Sequence, residues 1–245
     1  MVAREGAATA AMPTGTERRV DQTARAASPY AVWVPVEGSR YSGWRLGVKR
    51  VIDVVGSVLG LVLLSPLYLV IGVAIRATST GPAVFLHDRV GRGGRPFRML
   101  KFRTMNADAE EVLREDHELH KRYVANGFKL QVDEDPRVTP LGRFLRRSSL
   151  DELPQLWNVL KGDMSLVGPR PIVAEELVMY GRLRGTYLEP RPGVTGRWQV
   201  EGRSSVNYPG RAQLDTAYLQ TWSLRGDLSL LLRTIPTVIV TRGVQ

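Results

Sequence analysis

The chain has 245 residues, 43% of them apolar, which is enough to bury a core and excludes a wholly disordered polypeptide. The absence of cysteine excludes disulfides, thiolate metal sites and cysteine nucleophiles, and three histidines without a His-Glu-x-x-His pattern argue against a zinc hydrolase. Lys and Arg number 34 against 24 Asp and Glu; the resulting charge of +10 suits a solvated basic surface, anionic lipid, nucleic acid or phosphorylated substrates, so its distribution along the chain has to discriminate.

Residues 1–44 are rich in Ala, Thr, Gly and Arg and lack sustained apolar periodicity, so they read as a flexible tail; they hold no apolar stretch long enough for a secretory signal. The next segment, 45–76, contains the longest apolar run. No charged residue falls between positions 54 and 75, and at ~1.5 Å per residue a helix over this run covers a ~30 Å hydrocarbon core. A spanning helix is one reading. Two features favour a segment that enters and leaves by one face. Ser65-Pro66 interrupts the middle of the run, where proline costs a backbone hydrogen bond. Basic residues also flank both ends, with Arg45, Lys49 and Arg50 before and Arg76 and the series 89–103 after, and positive charge marks cytoplasmic sides. The spacing Gly56-x-x-x-Gly60 permits close helix packing, although a run this rich in small residues produces it by chance.

Residues 83–89 and 96–103 read as strands of a β-hairpin joined by Gly91-Arg92-Gly93-Gly94, which is not a Walker loop because no Gly-Lys-Ser or Gly-Lys-Thr follows. A charged surface helix is predicted over 106–127 and a loop over 128–139. The apolar run 228–240, interrupted by Arg233 and Pro236, fits an interfacial helix or an internal core helix equally well.

The chemistry is concentrated in 145–171. Leu153, Leu156, Trp157 and Leu160 recur at helical spacing and Gly162 stops the helix; Pro154 is tolerated only near a helix start, which puts Asp151 and Glu152 in or beside the first turn. A structural role is available to both: Ser149-x-x-Glu152 matches a capping box, and Asp151 suits the positive end of the helix dipole. A chemical role is available too. Arg146 and Arg147 stand upstream and Arg170 lies between two prolines downstream. Adjacent helical residues diverge by roughly 100°, so one carboxylate can face a reacting phosphorus while its neighbour binds a cation. Mg²⁺ is bound through one or two carboxylates plus substrate phosphates, which suits so small a ligand set.

These residues sit in a longer series: Lys49-Arg50-x-x-Asp53, Ser65-Pro66, Lys101-Phe-Arg-Thr-Met105, Ser149-Leu-Asp-Glu-Leu-Pro154, Gly168-Pro-Arg-Pro171, Arg191-Pro-Gly-Val-Thr-Gly196, Trp198-Gln-Val-x-Gly-Arg203, Asp215 and Trp222-Ser-Leu-x-x-Asp227. In this order they resemble the bacterial sugar transferase family, the monotopic phosphoglycosyl transferases that start assembly of exopolysaccharides, capsules and O-antigens. The resemblance covers about residues 45–242. It implies an α+β fold, mainly helical with a small β-hairpin, in which Ser65-Pro66 breaks a re-entrant membrane helix (45–76) and a catalytic domain (77–245) lies on the cytoplasmic face of the plasma membrane. It further implies transfer of a sugar-1-phosphate from a UDP-sugar to polyprenyl phosphate with release of UMP. Asp151 is the implied nucleophile and Glu152 the implied Mg²⁺ ligand. Lys101, Arg146, Arg170 and Arg203 are the implied phosphate-binding positions, and Asp215 and Asp227 match acidic positions that serve either a supporting role or structural ion pairing. The 198–203 motif is more similar to members that use glucose or galactose than to those that use acetamido sugars. The remaining basic residues then face lipid headgroups and nucleotide sugar, and a homo-oligomer is compatible with this reading.

Two other classes compete. A noncatalytic membrane-anchored module for polyanions keeps the basic residues but has no need of adjacent Asp151 and Glu152. A nucleic-acid binder needs a recognition helix or an aromatic stacking surface, and neither is present in the sequence.

Overall fold

The computed structural model describes residues 41, 43–126, 130–202 and 208–240, with side chains up to 234. Nearly all of the predicted tail, together with Arg203, lies outside these residues. The chain is mainly helical with a small antiparallel sheet, and its first two elements are helices α1 (Arg45–Leu63) and α2 (Ser65–Thr78), bent by 61° relative to each other. The cause of the bend is local. Pro66 has no N–H to give to the carbonyl of Val62, four residues back, and the Ser65 hydroxyl donates to that carbonyl instead at 2.8 Å. Among the described residues no single helix is long and apolar enough to cross a membrane, whereas the bent pair together is.

Helix α1 is inverted relative to the surface helix of a water-soluble domain. It buries Lys49, Asp53 and Ser57, spaced by four, and exposes Val51, Val55, Leu59, Val62 and Leu63. Leu69, Val70 and Val73 of α2 extend the same apolar surface. The buried polar residues clasp the rest of the protein. Lys49 Nζ pairs with Asp227 Oδ2 at 2.6 Å and donates to the Val167 carbonyl at 2.9 Å. Asp53 Oδ1 accepts from Ser165 Oγ at 3.0 Å and from the Leu166 amide at 2.9 Å. Arg50 donates to the carbonyls of Val159 and Leu160 at 2.6 and 2.8 Å; these lie in the last turn of a helix, where carbonyls run short of helical partners. A Cβ on Gly56 would come within 2.7 Å of Leu166, and one on Gly60 within 2.7 Å of Leu156. The Gly56-x-x-x-Gly60 spacing therefore lets α1 press against the globular part of its own chain.

The predicted hairpin forms from β1 (Val84–Val90) and β2 (Pro96–Phe102), antiparallel with Val84 opposite Phe102, and its turn uses Gly93 and Gly94 at positive φ. The predicted helix over 106–127 is two helices, α3 (Ala109–Glu115) and α4 (His117–Ala125). Asp116 breaks them because its carboxylate caps the second, accepting from the Leu119 amide at 2.9 Å. Helix α5 (Pro140–Arg147), capped by Thr139, leads into a 3₁₀ turn at Leu150–Glu152 and then α6 (Gln155–Lys161), which Gly162 ends at φ 94°. The next element, which no periodicity signals, is a parallel pair between β3 (Ser165–Val167) and β4 (Gly193–Thr195). Helices α7 (Arg184–Leu188), α8 (Gly210–Gln220) and α9 (Leu224–Val240) close the fold. In α9, Leu230 is buried while Leu228 and Leu232 are exposed, so it is a core helix on one face and an apolar surface on another.

Asp227 also accepts from the Tyr218 hydroxyl at 2.8 Å and the Trp222 indole at 3.2 Å, so the Lys49–Asp227 pair is buried and fully hydrogen-bonded. Removing one partner of such a pair leaves an uncompensated charge, at a cost of about 3 kcal/mol or more, while replacing both by apolar groups costs far less. Lys49→Met should therefore lower the melting temperature in detergent more than Lys49→Met combined with Asp227→Leu. A double variant no more stable than the single one would contradict this.

Candidate active site

Four segments converge on one site. Strand β2 carries Lys101, the last turn of α5 carries Arg146, the 3₁₀ turn holds Asp151 and Glu152, and the loop after β3 holds Arg170. Between α5 and the carboxylates stands Ser149 at φ 56°, a left-handed conformation that turns the chain sharply. The capping box expected from Ser149-x-x-Glu152 does not form. The Ser149 side chain does not cap the turn, and the Glu152 amide bonds the Ser149 carbonyl at 3.3 Å. Nor do the two acids lie in the first turn of α6, which begins only at Gln155.

Released from capping, both carboxylates turn to the same lysine. Lys101 Nζ lies 2.7 Å from Glu152 Oε1 and 3.6 Å from Asp151 Oδ2. Asp151 is 5% exposed, and its Oδ1 is a buried oxygen without a hydrogen-bond partner among the described residues. Burial pushes its carboxyl above the ordinary range; the Glu152 charge adds to this, and Lys101 and Arg146 oppose it. Arg146, fixed by a 2.9 Å bond from its Nε to Thr104 Oγ1, is itself pushed down by burial while the Asp151 charge pulls it back. The residues fit a divalent cation of the Mg²⁺ kind. Glu152, partly exposed and bonded to Lys101 through one oxygen, is a single carboxylate beside the pocket's cations, too few donors to hold the ion without phosphate and water oxygens. No set of three potential metal-ligating side chains stands together among the described residues.

The Arg170 loop is held by backbone crossings. The Gly168 amide bonds the Thr195 carbonyl at 2.9 Å and the Gly193 amide bonds the Pro169 carbonyl at 2.8 Å, so close that a side chain at Gly168, Gly193 or Gly196 would collide with backbone. This explains why the Gly168-Pro-Arg-Pro171 and 191–196 motifs occur together. The Tyr187 hydroxyl donates to the Arg170 carbonyl at 2.9 Å, and the Arg170 guanidinium lies over Trp198, 5.2 Å from the ring centre.

The pocket is lined by Lys101, Glu152 and Arg170 from the expected set, and by Arg89, Met99, Gln155, Pro171, Val194 and Gln199, which sequence reasoning did not single out. Alternation along the hairpin was the available signal for Arg89, because residues at even spacing in paired strands share a face. Asp215 and Asp227 do not line it. Asp227 belongs to the clasp. Asp215 is buried behind the Arg170 loop, where the Tyr180 hydroxyl donates to Oδ2 at 2.8 Å; burial raises its pKa to about 7 despite that bond and the charges of Arg211 and Arg170. Nor do Arg146 and Asp151 line the pocket: Asp151 is buried behind the lining residues Lys101 and Glu152, which it adjoins, and this set of cations beside two adjacent acids is suited to holding phosphates and attacking one of them.

Comparison with known proteins agrees with this chemistry. The family described as bacterial sugar transferase matches residues 44–241. The "Exopolysaccharide production protein ExoY" of Rhizobium meliloti is 41% identical over 90% of this chain and 97% of its own length. The "Undecaprenyl-phosphate galactose phosphotransferase" of Salmonella typhimurium is 45% identical over 80% of this chain, which spans only 41% of that protein. The "UDP-glucose:undecaprenyl-phosphate glucose-1-phosphate transferase" of Caulobacter vibrioides is 41% identical over 79% of this chain and 70% of its own length.

Asp215 gives a pH prediction. Its folded pKa, about 7, lies above an unfolded value of ~3.9, so its contribution to stability is fully present below pH ~4 and is lost as pH rises through 7. Asp215→Asn keeps an acceptor for Tyr180 and removes the titration. Relative to the variant, the wild type should lose about 5 °C or more in melting temperature between pH 4.5 and 8. Parallel profiles for the two proteins would refute this.

Proposed function

Because the chain belongs to the bacterial sugar transferase family, we propose that it transfers a hexose-1-phosphate from a UDP-sugar to undecaprenyl phosphate, releasing UMP, as a membrane-bound first step of exopolysaccharide synthesis. The galactose and glucose specificities in the names of the relatives support a hexose donor. The observation that carries the proposal is the position of Lys101 against both Asp151 and Glu152, beside a buried Asp151 oxygen with no hydrogen-bond partner among the described residues.

In the proposed sequence a carboxylate oxygen of Asp151 attacks the sugar-bound phosphorus of the donor. The new O–P bond forms as the bond to the bridging anhydride oxygen breaks, and UMP leaves with that electron pair. A phosphate oxygen of undecaprenyl phosphate then attacks the same phosphorus, and Asp151 departs as a carboxylate. Lys101 and Arg146 lower the negative charge around Asp151, and the Arg170 guanidinium faces phosphate oxygens. Glu152 and the substrate phosphates would hold Mg²⁺, which neutralises charge on the phosphate oxygens when bound. Two-step transfer spares the enzyme from bringing two anionic substrates together before any bond forms.

The proposal places the α1–α2 pair in the bilayer as a re-entrant element, with the remaining domain on the cytoplasmic face. Support comes from the 61° bend and from the inverted surface of α1, whose outward side chains are apolar and whose inward ones are charged. Exposed Phe144, Trp157, Leu228 and Leu232 supply further apolar surface for the same bilayer.

Two experiments test this reading. Enzyme incubated with a sugar-labelled donor and no lipid should carry a phosphosugar on Asp151 by mass spectrometry. Asp151→Asn should abolish the adduct and reduce turnover by at least about 10³-fold, whereas Glu152→Gln should slow turnover and blunt the response to Mg²⁺ yet leave the labelling site unchanged. An adduct on another residue would refute the assignment. For topology, single cysteines at Ser28 and Glu118 should both react with a membrane-impermeant thiol reagent in sealed inside-out vesicles; labelling of only one would mean that the segment spans.

A further inference from the structure

Arg89 is an incompletely satisfied cation of the pocket. Its side chain is 14% exposed and its Nε is buried without a hydrogen-bond partner among the described residues. Its ion-pair contact is a long one, 3.5 Å to Glu176 Oε1, and Glu176 is shared with Arg211 at 3.5 Å and with the Tyr208 hydroxyl at 3.1 Å. Arg170 lines the same pocket and repels it. Two guanidiniums held in one wall with too little negative charge between them describe a site built for an anion.

The hairpin register says which anion. Phe85, His87 and Arg89 of β1 share a face with Phe97, Met99 and Lys101 of β2, since Phe85 pairs with Lys101 and Arg89 with Phe97. Lys101 and Arg89 thus stand four rungs apart, about 13 Å along the ladder at the usual rise, and both line the pocket. The Lys101 end is the Asp151 end, where the reacting phosphorus must lie. A second phosphate, attached to the first, falls toward Arg89. His87 lies between them and its Nδ1 is 3.2 Å from an Arg89 Nη2. An arginine can only donate, so Nδ1 accepts and the ring proton sits on Nε2. Burial and the charges of Arg89 and Lys101 hold His87 far below the usual histidine range, at about 3, so it stays neutral and serves as an acceptor at any physiological pH.

We propose that Arg89 grips the uridine-side phosphate of the donor, the one that departs in UMP, and that His87 is a positioning residue that aims its guanidinium. This assignment rests on the function proposed above. It makes Arg89 a determinant of donor binding and of leaving-group release, distinct from the groups around Asp151.

The test is inhibition of the purified full-length enzyme by UMP and by uridine, which share the nucleoside and differ in the phosphate. Arg89→Gln should weaken inhibition by UMP about tenfold or more, the scale of a charge-assisted hydrogen bond, and raise KM for the UDP-sugar, while inhibition by uridine and KM for polyprenyl phosphate stay unchanged. Arg89→Lys keeps a charge for Glu176 and should weaken UMP about threefold or more, so it decides the matter if the Gln variant fails to fold. His87→Leu should shift UMP in the same direction, and His87→Gln, which retains an acceptor, should largely restore it. Unchanged UMP inhibition in the Arg89 variant that folds overturns the proposal, as does a shift in KM for polyprenyl phosphate instead. A wild-type enzyme that neither releases nor binds UMP overturns the proposed function itself, a separate outcome.

Discussion

Lys49 of α1 meets Asp227 of α9 at 2.6 Å beneath the carbonyl of Val167, and the geometry of the site follows from that contact. Val167 ends β3, and the next residues are the Gly168-Pro-Arg-Pro171 loop that carries Arg170. One turn further along α1, Asp53 ties down the other end of β3 through Ser165 and Leu166, and Arg50 completes the carbonyl end of α6. The α6 helix in turn follows the turn that bears Asp151 and Glu152. Helix α1 therefore orients the acids and the Arg170 loop by hydrogen bonds that merely hydrophobic contact would not provide. A buried ion pair is weak evidence of net stability, but it demands one geometry, and here that geometry is the register of α1 on the rest of the fold.

The site itself is electrostatically incomplete. Among the described residues, Asp151 is buried with an unpartnered oxygen, Arg89 has an unpartnered Nε, and Arg146 is pushed down by burial. Each is costly in isolation, and under the proposed function each would become favourable with the donor's phosphates bound. A site of this kind stores destabilisation in the free protein and recovers it from substrate, which is the expected arrangement where binding energy is directed to charge that develops during reaction. Asp215 makes a related contribution from outside the pocket, where the Tyr180 hydroxyl and the charges of Arg211 and Arg170 partly offset its burial behind the Arg170 loop.

Much of this was legible in the sequence. Strand alternation and the glycine turn gave the hairpin, Pro66 gave the bend, and Gly162 gave the end of α6. Side-chain hydrogen bonds were less visible. Asp116 looked like one more charged residue of a surface helix, yet its cap on Leu119 splits that helix in two. Ser149-x-x-Glu152 carried the pattern of a capping box, but a left-handed Ser149 and the attraction of Lys101 redirect both acids. Gly56 and Gly60 suggested packing between membrane helices, whereas the partners are Leu166 and Leu156 of the same chain. The β3–β4 pair was invisible because strands of three residues carry no periodicity. Arg89 escaped notice because it is one arginine among many, until the register put it on the face of Lys101.

Under the proposed function, the phosphosugar rests on the protein before it reaches lipid. Isotope exchange tests it directly: enzyme, unlabelled UDP-sugar and radiolabelled UMP, without any polyprenyl phosphate. A reversible first step predicts that label enters the UDP-sugar pool, and that Asp151→Asn is silent. Exchange that occurs only after undecaprenyl phosphate is added would contradict the account and indicate direct transfer between two bound substrates.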